Sequence, residues 1–174
     1  MVFDYYKRLS VGKQSVYRQS DAIIAIELPD AEVLRPPALA LVEALKSENR
    51  TTIQRLSQQV TDGIVGQLQV PLLRIQVLAV RPSADWGELH GLYLPEEDGK
   101  TAKIQLWMRT AKHKRVVAFK SYLRTLLHEI CHHLDYEWYE FPETFHTEGF
   151  YQRESSLFHQ LVSGGQAGLS QAED

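Results

Sequence analysis

The sequence feature that most constrains this chain is the run His128-Glu129-Ile130-Cys131-His132 inside an apolar segment. Residues four apart lie on the same face of an α-helix, with Cβ atoms about 5–6 Å apart. His128 and His132 could therefore bind one metal ion. Glu129 is rotated by about 100° around the helix axis, which places its carboxylate beside that ion. The pattern is typical of the helix that carries a zinc hydrolase site.

The motif lies on a segment with helical periodicity, and we predict a helix over residues 117–137. One apolar stripe repeats every three or four positions: Leu123, Leu126, Leu127, Ile130 and Leu134. The motif is short enough to occur by chance, so the alternative is that His128, His132 and His133 are partly exposed helix histidines. The acidic Glu129 within an apolar stretch favours the metal site.

A catalytic zinc ion usually has three protein ligands and one water. A connector follows the motif helix and leads into another predicted helix, with His146 at its start. We predict His146 as the third ligand. Glu154, inside that helix, is the alternative, and Glu148 and Glu143 are further alternatives.

Other residues near the motif are candidates for supporting roles. Asp135 lies seven positions after His128 and shares its helix face, so it could accept a hydrogen bond from a ligand imidazole or simply be solvated. Tyr151 is a second candidate for a residue that supports the ligands. Tyr151, Arg153 and Tyr93 are candidates for stabilising an oxyanion. Cys131, the only cysteine, points away from the histidines and is predicted to be a buried apolar residue.

The remaining pattern predicts an α+β fold with a small, mostly antiparallel sheet packed on helices. Residues 38–46 and 50–68 have helical periodicity, whereas residues 72–80, 88–94 and 102–108 read as strands joined by short turns. We expect strand 102–108 to be an exposed edge. Such an edge could pair with an extended peptide.

The length of 174 residues fits one domain, predicted at 1–162, followed by a small, polar and flexible tail at 163–174. The net charge of −3 gives no general attraction to nucleic acid or to an anionic membrane. A local basic run at Lys112, Lys114 and Arg115 is either a solvated surface or a patch for an acidic partner. A single cysteine, no signal peptide pattern and no membrane-spanning stretch lead us to expect a cytoplasmic protein.

The motif, followed by His146 and an aromatic residue four positions later at Phe150, resembles SprT-like (Spartan-type) zinc metallopeptidase domains over roughly residues 100–162. The resemblance implies a zincin-like fold with His128, His132 and His146 as zinc ligands and Glu129 as the general base. The cysteine pairs of that family's zinc ribbon are missing, so its role on DNA–protein crosslinks is not carried over. A second resemblance, to minimal single-domain zincins, would favour Glu154.

The resulting hypothesis is a zinc metallopeptidase that hydrolyses peptide bonds. Two alternatives remain open: a non-catalytic metal-binding interaction module, and a metal-dependent hydrolase of a non-peptide substrate.

Overall fold

The computed structural model describes residues 2–163, so the predicted tail at 163–174 lies outside the described residues except for Ser163. Five α-helices account for a little under half of the described residues. They are α1 (Val11–Asp21), α2 (Arg35–Lys46), α3 (Arg50–Leu68), α4 (Phe119–Glu137) and α5 (Glu148–Val162). The strands are β1 (Arg74–Val80), β2 (Ser83–Ala84), β3 (Gly87–Glu88), β4 (Gly91–Leu94) and β5 (Lys103–Arg109). The α+β class predicted from the sequence is confirmed.

The helices begin and end where local chemistry allows. Asn49 caps α3 by accepting a hydrogen bond from the Thr52 N–H, and α3 ends at Gln69 in the left-handed region with φ 56°. Thr147 caps α5 in the same way, since its side chain accepts from the Phe150 N–H. The cap of α5 matters for function because it fixes the backbone directly after His146.

The main sheet has the order β1-β5-β4, with β5 parallel to β1 and antiparallel to β4. The prediction of a mostly antiparallel meander is therefore wrong for this sheet, which is mixed. The prediction that strand 102–108 forms an edge is also wrong, because β5 is the central strand. Its side chains are correspondingly buried on both faces at several positions, as expected for a central strand.

Helix α3 covers the outer edge of β1. The backbone N–H of Ile75 donates to Gln58 Oε1 at 2.8 Å, and the N–H of Val77 donates to Gln54 Oε1 at 3.1 Å. Four residues of helix span about 6 Å, close to the span of two strand residues, so the two glutamines match alternate strand positions. With β1 covered and β5 central, β4 is the remaining edge strand of this sheet.

Strand β4 runs along α4, the helix that carries the sequence motif. A Cβ added to Gly91 would lie 2.8 Å from Thr125 Cγ2, and the Tyr93 hydroxyl lies 3.0 Å from Nδ1 of His133, which is eight residues further along α4 than Thr125. His133 in turn donates from Nε2 to the Pro71 carbonyl at 2.9 Å. His133 thus ties the edge strand to α4 rather than taking part in a metal site.

The N-terminal residues 3–23, which we call the N-terminal clamp, pack against the connector between α4 and α5. Lys13 forms an ion pair with Glu143 at 2.8 Å, and the Tyr5 hydroxyl donates to the His146 carbonyl at 2.9 Å. The Gly149 N–H donates to Asp21 Oδ1 at 3.0 Å. The clamp therefore holds both the connector and the start of α5.

No helix in the described residues 2–163 is long and apolar enough to cross a membrane.

Candidate metal centre

The structure brings His128, His132 and His146 together. The Nε2 atom of His146 lies 3.0 Å from Nε2 of His128 and 3.1 Å from Nε2 of His132. One nitrogen from each ring lies within 4.8 Å of the other two, a spacing that suits three ligands of one metal ion. Two of these rings come from one face of α4, and the third reaches them from the connector.

Hydrogen bonds on the far side of two rings fix which nitrogen carries the proton. The Nδ1 atom of His128 lies 3.2 Å from Glu154 Oε2, and a carboxylate can only accept, so Nδ1 donates. The Thr144 hydroxyl donates its one proton to Asp135 Oδ2 at 2.7 Å, so it accepts from His132 Nδ1 at 2.8 Å. Both rings therefore present an Nε2 lone pair to the shared centre, as metal ligands must.

The chain of contacts behind His132 continues into the protein interior. Asp135 is fully buried, and its Oδ1 accepts from Arg153 Nη2 at 2.9 Å. Arg153 is also fully buried and donates to the carbonyls of Ser20 and Ile23 at 2.6 and 2.8 Å. A buried ion pair of this kind is rigid because both charges depend on their partners. The orientation of the His132 ring is thus linked to the N-terminal clamp.

The third histidine is held mainly through its backbone and by ring contacts. Tyr5 binds its carbonyl oxygen, and Thr147, the next residue, caps α5. The Tyr151 ring stacks on the His146 ring with centroids 5.9 Å apart, and the buried Phe150 ring lies 5.3 Å from it. These aromatic contacts form a wall behind His146 that limits its rotation.

Burial favours the neutral form of the His132 and His146 rings. It lowers the pKa of His132 to about 3, and repulsion from His128 and His146 adds to the effect. Burial also lowers the pKa of His146, with His128 as the next cause. Neutral imidazoles retain the lone pairs that a divalent cation needs. The donor set, three imidazole nitrogens without a carboxylate, fits a borderline metal such as zinc.

Glu129 is buried beside the three histidines, and burial raises the pKa of its carboxyl group, while His128 and a hydrogen bond from the Tyr93 backbone N–H oppose the shift. Gly91 makes this placement possible. A Cβ at residue 91 would lie 2.7 Å from Glu129 Oε1, closer than side-chain atoms tolerate. The edge strand and the glutamate therefore fit together only because residue 91 is glycine.

An open cleft of about 560 Å³ lies over the histidines. It is lined by β4 and its neighbours, by the exposed face of α4, and by residues of the connector and α5: His90, Gly91, Leu92, Tyr93, Pro95, Arg124, Thr125, His128, Glu129, His132, Tyr136, Thr144, His146 and Glu154. All four residues of the predicted site, the three histidines and Glu129, face this one cleft. Its floor is polar and its side wall is a strand edge.

The other sequence candidates have different positions. Glu154 contacts Nδ1 of His128 and Nη1 of Arg124, and so lies behind the first histidine rather than among the three Nε2 atoms. Asp135 reaches His132 through Thr144 and not directly. Tyr151 stacks on His146.

Two of the oxyanion candidates are committed to other partners. Arg153 is fully buried against Asp135 and has no surface toward the cleft, so its proposed contact with a substrate oxygen is wrong. The Tyr93 hydroxyl lies 3.0 Å from Nδ1 of His133. His133 donates from its other nitrogen, so Tyr93 donates to His133 rather than to an oxyanion in the cleft.

Sequence reasoning missed Thr144. Nothing about a threonine in a connector marks it as a partner of a histidine twelve residues earlier. Its role depends on the fold of the connector, which brings its hydroxyl between His132 and Asp135.

Comparison of the chain with family models, with curated proteins and with solved structures gave no match in any of the three.

Proposed function

We propose that this protein is a zinc-dependent peptidase with a zincin-like fold, in which His128, His132 and His146 bind the metal and Glu129 is the general base. The observation that carries the proposal is the convergence of three Nε2 atoms within 4.8 Å at the floor of a cleft. The motif order and the helix-borne glutamate, which resemble SprT-like domains, support it.

The residues behind the ligands also support the proposal. Imidazole ligands in zinc enzymes usually donate their second nitrogen to a carboxylate or another acceptor. His128 does so to Glu154, and His132 does so to Thr144, which is itself fixed by Asp135. A chance group of surface histidines would not share this arrangement.

The chain's own groups would perform the proton transfers. A bound zinc ion would supply Lewis acidity to a water molecule and to a peptide carbonyl. Glu129, with its pKa raised by burial, would accept a proton from the attacking water and pass it to the leaving amine. The Tyr93 N–H keeps the carboxylate oriented between these two steps.

The edge of β4 is the proposed seat of the substrate backbone, in place of strand 102–108. In an antiparallel pair, successive residues point their backbone groups alternately toward and away from the partner strand. The Tyr93 N–H faces Glu129 and therefore faces away from β5. Gly91 and Tyr93 thus direct backbone groups to the cleft, where an extended peptide could add as a further strand.

Metal content and hydrolysis together test this function. We expect about one zinc ion per chain by elemental analysis, and cleavage of a mixed library of unstructured peptides. Glu129→Gln should keep the zinc and lower kcat/KM by about 100-fold or more, since general-base catalysis contributes about 10²–10⁴-fold. Glu27→Gln removes an exposed carboxylate far from the cleft and serves as the matched control.

Three results would count against the proposal, each in its own way. A chain without metal removes the central claim. Stoichiometric zinc with no cleavage of any peptide favours the interaction module. Cleavage that survives in Glu129→Gln would assign the base to another residue.

A further inference from the structure

A second cleft of about 430 Å³ lies at the N-terminus of α4 and is next to the first. Both clefts are lined by His90, the residue just before β4. The second cleft is formed by the end of β1, the segment before β4 and the loop between β5 and α4. Its lining residues include Arg81, Glu88, His90, Lys112, Arg115 and Ser121.

Arg81 lies in the wall of this cleft, and its positive charge has no close carboxylate partner among the described residues. Only 5% of its side chain is exposed, and its Nε atom has no hydrogen-bond partner among the described residues 2–163. Its ion pair with Glu88 spans 3.9 Å, longer than a hydrogen bond. Buried guanidinium groups normally have close partners, so the incompletely paired charge of Arg81 would favour a further anion in the cleft that this residue lines.

Glu88 does not fully supply that anion. One of its oxygens accepts a hydrogen bond from the Ala111 N–H, and the other lies 3.9 Å from Arg81 and 4.0 Å from His90. The carboxylate is thus committed to the loop at Ala111. Burial lowers the pKa of Arg81, while the nearby Glu88 carboxylate opposes this shift.

The N-terminus of α4 adds to the positive character of this cleft. The helix has 19 residues, its N-cap is Ala118, and its first turn contains no acidic residue. Alanine has no side-chain acceptor for the N–H groups of a first turn, which carry a partial positive charge. The exposed Lys112 and Arg115 stand at the rim. Together with Arg81, three cations and a helix end surround one committed carboxylate.

The distance from the second cleft to the three histidines fixes how many residues of an extended peptide would lie between them. Ser121 at the second cleft precedes His128 by seven residues, which is about 10–11 Å along a helix. Because β4 runs alongside α4, a peptide on its edge would extend from the histidines past His90 into the second cleft. At about 3.3 Å per residue, this distance corresponds to about three residues of extended chain.

We propose that the second cleft binds the carboxylate of an acidic residue in the substrate, about three residues from the bond that is cleaved. This proposal depends on the proposed function for its substrate, but the anion site depends only on the cleft. The peptide carboxylate is favoured over a free anion because the cleft is continuous through His90 with the strand edge.

Matched peptides test the acidic preference. We would use amidated, N-acetylated fluorogenic peptides of neutral sequence, and place Asp or Asn at each position within four residues of the cleaved bond. We expect Asp to raise kcat/KM over Asn by about tenfold to a hundredfold at one position, near the third, as for a charge-assisted hydrogen bond. Blocked termini ensure that the side chain supplies the carboxylate.

The positive charges at the rim of the second cleft are then removed by substituting exposed residues, which leaves the core unchanged. Lys112→Gln with Arg115→Gln should reduce the Asp/Asn ratio several-fold while cleavage of the all-neutral peptide is unchanged. Lys46→Gln with Arg55→Gln makes the same change in charge on exposed residues elsewhere and should leave the ratio as it is. Arg81→Gln should lower the Asp/Asn ratio of kcat/KM to about one. A thermal unfolding measurement shows whether this variant is folded.

Binding separates this proposal from the proposed function. Fluorescence anisotropy with the zinc-loaded Glu129→Gln protein reports the Asp/Asn affinity ratio without any turnover. Failure to cleave any of these peptides, with the Asp/Asn affinity ratio preserved in the binding measurement, would overturn the proposed function alone. An Asp/Asn ratio below about twofold at every position, or one that the Lys112/Arg115 variant does not change, would overturn the acidic site. If inorganic phosphate at low millimolar concentration displaces the Asp peptide and removes its affinity advantage over the Asn peptide, the second cleft would be reassigned to a free anion.

Discussion

Replacing Thr144 with valine tests the link between the buried network and the metal. Valine has nearly the shape of threonine but lacks the hydroxyl, so the change removes two hydrogen bonds, at 2.8 Å to His132 and 2.7 Å to Asp135. Nothing then accepts from His132 Nδ1. The ring can satisfy itself by moving its proton to Nε2, the atom that the metal requires.

The size of the effect follows from the competition between a proton and the metal ion for Nε2 of His132. An unsatisfied buried donor costs about 1–3 kcal/mol, and loss of a residue that supports a ligand lowers metal affinity by about 10–100-fold, or about 1.4–2.8 kcal/mol. We therefore expect Thr144→Val to bind zinc about 10–100-fold more weakly than the wild type. Asp135 keeps its bond to Arg153, so the fold should survive.

Competition with a chromophoric chelator measures the zinc affinity of each variant. Thr144→Ser retains the hydroxyl and should stay close to the wild type. Thr61→Val removes a threonine hydroxyl that bonds only to the Ser57 carbonyl, and should not change zinc affinity. Wild-type affinity in Thr144→Val, or an equal loss in Thr144→Ser, would refute the role of the hydroxyl.

Three further predictions concern the same centre. Zinc at about 100 times its Kd should raise the midpoint of thermal unfolding by about 5–11 °C over the metal-free protein, and scanning calorimetry with and without chelator measures this. Glu154→Gln should keep one zinc per chain with about tenfold weaker affinity, since an amide oxygen can still accept a hydrogen bond from His128 Nδ1. His146→Ala should lose far more zinc affinity, because it removes a ligand. Equal losses of affinity in the two variants, measured by chelator competition, would make Glu154 a ligand. Gly91→Ala should retain zinc but lower kcat/KM by about 10–100-fold, because the new Cβ would meet Glu129 Oε1 at 2.7 Å, and unchanged kinetics would show that the strand moves aside.

The sequence predicted the local elements of the site well. The motif helix was expected over residues 117–137 and is observed at Phe119–Glu137, since a 19-residue amphipathic pattern is a strong local signal. The proximity of His146 to the two motif histidines also follows a sequence expectation. Periodicity and motif spacing are properties of short segments, so the helix could be predicted from local sequence alone, whereas the position of His146 also depends on the contact of its carbonyl with Tyr5.

The features that the sequence did not reveal are contacts between distant segments. Strand periodicity places β5 correctly but carries no information on its neighbours, so its central position and parallel pairing with β1 were not foreseen. Arg153 was a candidate for stabilising an oxyanion because its side chain is positively charged. The structure shows it on the opposite face of α5, bound to Asp135 and Ser20.

The N-terminal clamp has a consequence for where this functional unit can be cut. Tyr5 and His146 are separated by 141 positions in the chain, and Arg153 and Ser20 by 133. A fragment of residues 100–162 would contain every predicted ligand and the base, yet it would lack each of these anchors. Its motif helix could still present two histidines, while the third would be free to sample many positions. The smallest fragment that holds the three histidines together must therefore include the segments that contact the connector, and these extend to Tyr5.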